Sequence, residues 1–325
     1  MKYTNDRVPL RFDGGVEVSR PWLSADQHRA QRILRKHASE PVQCLCTPSG
    51  VPMHVVCRGG SFHLATMPGR AHHHALSCPS YRPDRKTSGL KHYDRSAYTL
   101  TGQNQNVFVS SSPVGAPPFS HFTPSAVLQL LWDLAGLTVC TPKILAKRKY
   151  FLVSRSLADV CAGFRINGDA MRPYIPLAFT DPRFCRYLVG GVRRICHGRY
   201  GNAIHLSADN DHTFWVDQKE WSNSALSEVF GPFDEPQWQR GYFIIARLFL
   251  TRHGNFRLFD SGLLRVNRSF LPVTVADEGF LQGLVDANRR FFVCQRYDAI
   301  GDDRIPLVVL IDRDEPLYLY SGQPF

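Results

Sequence analysis

No stretch of the 325-residue chain comes near the roughly 18 uncharged apolar residues that a membrane-spanning helix needs, so no bilayer span is expected. The opening MKYTNDRVPLRFDGG lacks the apolar segment of a signal peptide. Signatures of common catalytic machinery are missing too: there is no P-loop, no G-x-S-x-G elbow and no HExxH helix. Lysine does not occur after Lys219. The nine cysteines are odd in number and lack disulfide-framework spacing, which predicts a reducing, bacterial-type cytoplasm.

Acidic residues are the scarcer sign of charge, 28 against 39 Lys and Arg, for a net +11. The excess is uneven. Residues 1–100 carry 15 basic and 7 acidic side chains, residues 101–200 carry 12 and 4, and residues 201–325 carry 12 and 17. A basic two-thirds joined to an acidic third predicts an anionic partner held by one end. Nucleic acid fits better than a membrane surface, because no segment pairs a basic face with a broad Trp/Phe/Leu face.

Three basic clusters are candidate contacts. In SADQHRAQRILRKHAS, Ser24 and Gln27 stand in capping-box spacing, and Arg29, Arg32, Arg35 and Lys36 recur at helical steps. Lys143, Lys147, Arg148 and Lys149 precede Tyr150 and Phe151, and Arg193, Arg194 and Arg199 precede Tyr200. Cations beside aromatics supply phosphate contact together with base stacking. Each cluster also reads as a solvated surface.

Metal-ligand chemistry is concentrated between Cys44 and Cys78, in CLCTPSGVPMHVVCRGGSFHLATMPGRAHHHALSC. VPMHVVC and SFHLAT are strand-like and Arg58-Gly59-Gly60 supplies a turn, which predicts a β-hairpin. A hairpin returns the chain to its starting end, so Cys44-Leu45-Cys46 entering it and His74 to Cys78 leaving it would meet. Tetrahedral zinc takes four ligands from two such knuckles, which makes the module zinc-ribbon-like with C-x-C in place of C-x2-C. His72 and His73 satisfy the spacing as well as His74. Cys57 is a further competitor, but it lies at the far end of the first strand and reads as a small buried hydrophobe. Four protein ligands close the site, so the expected cofactor is a structural Zn²⁺ whose binding adds to folding, on the order of 10 kcal/mol.

The pattern along the chain predicts an α+β protein with irregular residues 1–23. Residues 1–96 form an N-terminal basic helix and zinc-binding module, and the Ser/Gly/Asn/Pro-rich residues 97–120 a linker or arm. Residues 121–183 form a basic helical middle, in which TPSAVLQLLWDLAGL and FLVSRSLADVCAGF are helices. Residues 184–325 form a β-rich and α/β C-terminal domain, with HGN as a hairpin turn and ADEGFLQGLVDANR as a helix.

The blocks CLCTPSGVPMHVV, MPG and HALSCPSY resemble a largely uncharacterised bacterial family, the domain of unknown function numbered eleven seventy-three. Its pattern opens with CLC-x-x-x-G-V-P-M and closes with H-x3-C-P-S-Y. LWDLAGL with the Pro and Lys-Arg pair after it, FLPVTVADEGFL, RFFVCQRY and VVLID extend the resemblance over most of the chain, with a shorter and more divergent middle. The resemblance implies Cys44, Cys46, His74 and Cys78 as the ligand set. It implies no activity. It implies a setting on conjugative plasmids and integrative elements, where DNA or RNA is the usual partner.

In the C-terminal third, the order helix, strand, strand, strand is similar to the core of restriction-endonuclease-like nucleases, where acids hold Mg²⁺. Glu278 and Asp312 are the candidate catalytic acids, but PLYLYSG has no E-x-K, which leaves a degenerate core beside the plain reading that Glu278 starts a helix favourably and Asp312 caps a turn. The expected function is a zinc-containing, nucleic-acid-binding, non-catalytic protein of a mobile genetic element, a subunit of a larger nucleoprotein complex with other protein partners. A Mg-dependent nuclease and a protein–protein adaptor are the alternatives.

Overall fold

The structure, a computed structural model, describes residues 8–58, 60–67, 69–101, 104–110, 115–146, 148–178, 181–199, 201–230, 241–299, 302, 304–313 and 315–321. It is a mixed α+β fold. Strands β1 (Pro9–Arg11), β2 (Glu17–Ser19), β3 (Val42–Cys44), β4 (Val51–Arg58) and β5 (Ser61–Thr66) form an antiparallel sheet in the order β2-β1-β3-β4-β5. The expected hairpin is β4–β5, with Gly60 in the left-handed conformation of its turn. Instead of being irregular, the described residues before position 24 supply β1, β2 and the short helix α1 (Arg20–Ser24). Leu10, Phe12, Leu34, Val42, Met53 and Cys78 close a core of their own beneath this sheet.

Helix α2 (Gln27–Lys36) starts later than the capping-box spacing predicts. Asp26, not Ser24, is its cap, accepting the Arg29 N–H at 3.0 Å, because Ser24 is already used as the last residue of α1. The Gln31 side chain fixes α2 to the outer edge of β5. Its amide accepts the Phe62 N–H at 2.7 Å and donates to the Phe62 carbonyl at 2.9 Å. Both edge groups that a strand would otherwise leave open are thereby paired.

The expected linker is not one. Residues 97–120 contain β6 (Tyr98–Thr101) and β7 (Asn104–Val107), and Leu100, Val107 and Phe119 are buried. Beyond them come α3 (Pro124–Leu134), β8 (Val139–Cys140), α4 (Pro142–Leu145) and α5 (Tyr150–Cys161). Strands β9 (Phe164–Ile166) and β10 (Asp169–Ala170) then complete the sheet β10-β9-β7-β6. Polar composition signalled a linker, yet the buried Leu100 and Val107 were enough to build β6 at the edge of this sheet and β7 between β6 and β9. Residues 102, 103 and 111–114 of that segment lie outside the described residues.

The C-terminal half is dominated by a barrel. Strands β11 (Pro173–Tyr174), β12 (Tyr187–Gly198), β13 (Gly201–Leu206) and β14 (Phe214–Val216) are followed by helices α6 (Gln218–Ser222) and α7 (Ala225–Phe230). The hairpin of β15 (Tyr242–Leu250) and β16 (Phe256–Arg265) comes next. The order is β11-β12-β13-β14-β16-β15, and β15 pairs back onto the first half of β12, which closes five strands into a barrel. Ile195, Ile204, Phe214, Ile244 and Leu258 fill it, with Trp221, Leu226 and Phe230 packed against them from α6 and α7. Last come α8 (Glu278–Asp286), β17 (Phe291–Val293), β18 (Val308–Leu310) and β19 (Leu317–Leu319), in an antiparallel sheet with β8.

One core joins what the sequence divides at 97, 121 and 184. Leu100, Leu130, Trp132, Phe164, Ile245, Tyr297 and Ile311 belong to the same buried cluster. Asp298 ties three of these parts together, accepting the Thr123 N–H at 3.0 Å, the Thr123 hydroxyl and the Tyr93 hydroxyl.

Helix α3 lies so close to the barrel that a Cβ on Gly262 would sit 2.2 Å from the Ser125 nitrogen. Gly262→Ala is therefore expected to lower the unfolding free energy by about 3 kcal/mol or more, since both partners are backbone. Gly283→Ala on α8, where a Cβ meets nothing within 4 Å, is expected to raise it by about 0.5–1 kcal/mol. Urea midpoints of the two variants check both signs.

Candidate metal centre

Local sequence brings the cluster together in two turns. Cys44 is the last residue of β3, paired with Val51 of β4, so Cys46 lies in the turn between them. Gly50 closes that turn, donating to the Thr47 carbonyl at 3.0 Å with φ of 69°. The C-x-C knuckle thus occupies the β3–β4 turn, one strand earlier than the entrance of an isolated hairpin. After β5 the chain returns through a short 3-10 turn, Ala71–His73, and His74 follows in extended backbone. A second turn, with the Cys78 N–H on the Ala75 carbonyl at 2.8 Å, aims Cys78 at the same point.

The donor atoms of Cys44, Cys46, His74 and Cys78 all lie within 4.8 Å of one another, and they form a group that could hold a metal ion. Cys44 and Cys78 Sγ are 3.7 Å apart, and His74 Nδ1 is 3.5 Å from Cys78 Sγ and 3.2 Å from Cys46 Sγ. A tetrahedron with metal–sulfur bonds of about 2.3 Å and metal–nitrogen bonds of about 2.0 Å has S···S edges of about 3.8 Å and S···N edges of about 3.5 Å. A disulfide would need about 2.05 Å, and all these cysteines are free thiols. His72 and His73 are exposed, their rings beside each other at 4.2 Å, and Cys57 lies on β4 opposite Phe62, away from the cluster.

The surroundings favour negative sulfur. Backbone N–H groups of Ala75 and Ser80 point at Cys46 and Cys78 Sγ, at 3.4 and 3.5 Å. Arg20, which nothing in the ligand spacing reveals, places a guanidinium nitrogen 3.7 Å from Cys44 Sγ, 3.3 Å from Met53 Sδ and 2.7 Å from the Ser80 hydroxyl. The Cys44 thiol is pushed down by hydrogen bonds from Cys46 and Cys78, whose own thiols are pushed up by sharing it. Crowded thiols cannot all ionise without a cation between them. His74 Nε2 is buried and has no hydrogen-bond partner among the described residues.

The basic candidates divide by direction. Arg32, Arg35 and Lys36 are exposed on α2. Arg29 turns back instead, 4.1 Å over the Trp22 ring and donating to the Trp22 carbonyl at 3.0 Å. Arg148 is a structural residue, donating to the carbonyls of Ser269 at 3.2 Å and of Val139, and burial lowers its pKa to about 10. Lys143 and Lys149 are exposed, whereas Lys147 and Tyr200 lie outside the described residues. Arg193 donates to Asn210 at 2.6 Å, Arg194 to His205 at 3.4 Å, and Arg199 is exposed in the β12–β13 turn.

Glu278 and Asp312 are not brought into a metal-binding group. Glu278 pairs with Arg265 at 2.6 Å, and Asp312 is gripped by Arg289, with its pKa lowered by that hydrogen bond. Among the described residues, the three thiols and His74 are the one group of three or more potential ligands.

Cys78→Ser and His74→Ala are expected to abolish metal retention, while Cys57→Ser and His72→Ala keep about one equivalent, the content of a single four-ligand site. Elemental analysis of the purified variants checks this. Retention by Cys78→Ser would remove the ligand assignment.

Residues 18–104 match the model of a family described as a protein of unknown function, DUF1173, a span that contains all four cluster residues. No curated protein and no solved structure matches the chain.

Proposed function

We propose that the chain is a zinc-containing, non-catalytic nucleic-acid-binding protein of a mobile genetic element, working as a subunit of a larger nucleoprotein complex in the bacterial cytoplasm. The observation that carries this reading is the coupling of the thiol–imidazole cluster to an exposed basic helix. Three thiolates, a neutral imidazole and Zn²⁺ leave one negative charge, which Arg20 faces. Sulfur and nitrogen ligands at tetrahedral edges suit borderline-soft Zn²⁺ better than Mg²⁺ or Ca²⁺, which take oxygen. With every position filled by protein, the ion would be structural.

Its role is then to fix the sheet on which α2 sits. Gln31 holds α2 to β5, and Arg32, Arg35 and Lys36 border a shallow depression of about 530 Å³ with Gly60, Ser61 and Phe62. Exposed cations gathered on one helix face supply the phosphate contacts that sequence-independent binding draws on. Among the described residues no helix is long and apolar enough to cross a membrane. The plasmid and integrative-element setting rests on the resemblance of the Cys/His blocks alone. The nuclease reading draws no support from Glu278 and Asp312, each engaged by an arginine.

The logarithm of the affinity for DNA or RNA is expected to fall linearly with the logarithm of the salt concentration. Replacing Arg32, Arg35 and Lys36 by Gln is expected to reduce that slope by about 2–3 without loss of metal. Fluorescence anisotropy over a salt series measures it, and a flat dependence for the parent chain would end this reading.

A further inference from the structure

The outer surface of the barrel carries a second feature that the charge pattern of the sequence hides. Trp215 on β14 pairs with Arg257 on β16, and Arg257 pairs in turn with Phe249 on β15. Paired residues on neighbouring strands project from the same face, so Trp215, Arg257 and Phe249 form one row across three strands. One step along, Phe259 pairs with Arg247, which makes an alternation of rings and guanidinium groups in both directions. The opposite face holds Phe214, Phe256 and Leu258 in the barrel core, so this face is the outer one.

These side chains are open to solvent: Trp215 is 40% exposed and Phe249 58%. Two large rings left in water on a sheet face are unfavourable unless something covers them. Charge indicates what that is. The hairpin of residues 242–265 holds four arginines against one aspartate, in the part of the chain that is otherwise acidic. Arg252, in the β15–β16 turn, makes no ion pair among the described residues. Arg257 reaches Asp217 only at 4.0 Å, and Arg247, with Asp260 at 3.1 Å, keeps further N–H donors to offer.

We propose that this outer face binds single-stranded nucleic acid, with bases stacked on Trp215 and Phe249 and the intervening phosphates on Arg257 and Arg247. Two strand spacings set the rings about 10 Å apart, with Arg257 between them. Flat rings at that separation offer stacking sites to unpaired bases, whose faces a duplex keeps hidden. OB-type folds, also five-stranded Greek-key barrels, hold oligonucleotides on the face of their second and third strands and on the loops after their first and fourth, and the proposed face shares with that arrangement the third strand and the fourth–fifth turn. That likeness is one of architecture, and the residues carry the proposal. It rests on the nucleic-acid reading above and adds to it the strandedness and a second contact surface.

The test uses the full chain with a labelled oligothymidine long enough for a site of about 4–16 nucleotides, and a duplex of equal length. The single strand is expected to bind more tightly than the duplex. Trp215→Ala and Phe249→Ala are each expected to weaken single-strand binding about fivefold or more, with Trp215→Phe close to the parent. Iodouridine photocrosslinking of the unaltered protein is expected to label the peptides carrying Trp215 or Phe249, and it decides the matter if either alanine variant fails to fold. Binding of the oligonucleotide with unchanged affinity in folded alanine variants, or crosslinks confined to α2, would overturn this inference and leave the proposed function standing. No binding of any nucleic acid by the parent chain would overturn both.

Discussion

Three thiols and an imidazole packed within 4.8 Å of one another are a constraint that apolar packing alone does not impose. Sulfur atoms 3.7 Å apart, each supplied with N–H or guanidinium donors, are arranged as acceptors of positive charge. Much else in the N-terminal module follows from satisfying them. The β3–β4 turn must be tight enough to place Cys46 beside Cys44, and the chain leaving β5 must come back across the sheet to deliver His74 and Cys78. A small sheet with few large apolar residues beneath it gains from such a cross-link, because its own core is limited.

The closure also sets where the module ends. Cys78 belongs to the module core, and Tyr81, three residues on, is already in the central core, edge-on to Phe292. Metal ligation and the passage into the rest of the fold therefore share one turn. From there the central core is built from distant parts of the chain, with α3 almost wholly buried and Asp298 holding the α3 cap. This is why composition misled at residues 97–120. A polar segment with a few apolar residues can pair into a sheet, as β6 and β7 do, once a larger core is present to receive those residues.

The two basic surfaces arise differently. On α2 the helical repeat alone places Arg32, Arg35 and Lys36 on one side, and Gln31 keeps the helix on β5. On the barrel, Trp215, Arg257 and Phe249 come from three strands and meet only because β16 lies between β14 and β15. Net charge by segment hides the barrel face, because the same third also holds acidic residues that pair away from it, such as Asp312 with Arg289 and Asp302 with Arg304.

The sequence by itself marked Cys44, Cys46 and Cys78, the β4–β5 hairpin, helices α3, α5 and α8, and Arg32, Arg35 and Lys36 on the exposed side of α2, while the choice of His74 over His72 and His73 came from the family resemblance. Ligand chemistry and local periodicity are properties of short segments, and they survive whatever the remainder does. Only the tertiary structure decided that Arg29 lies on Trp22 and Arg148 on backbone carbonyls, so that two of the expected phosphate contacts turn inward. It alone placed Arg20 beside Cys44, brought Leu100, Val107 and Phe119 into the central core, and aligned Trp215 with Phe249 across Arg257. Each of these depends on which distant segments become neighbours, and residue spacing along the chain carries no information about that.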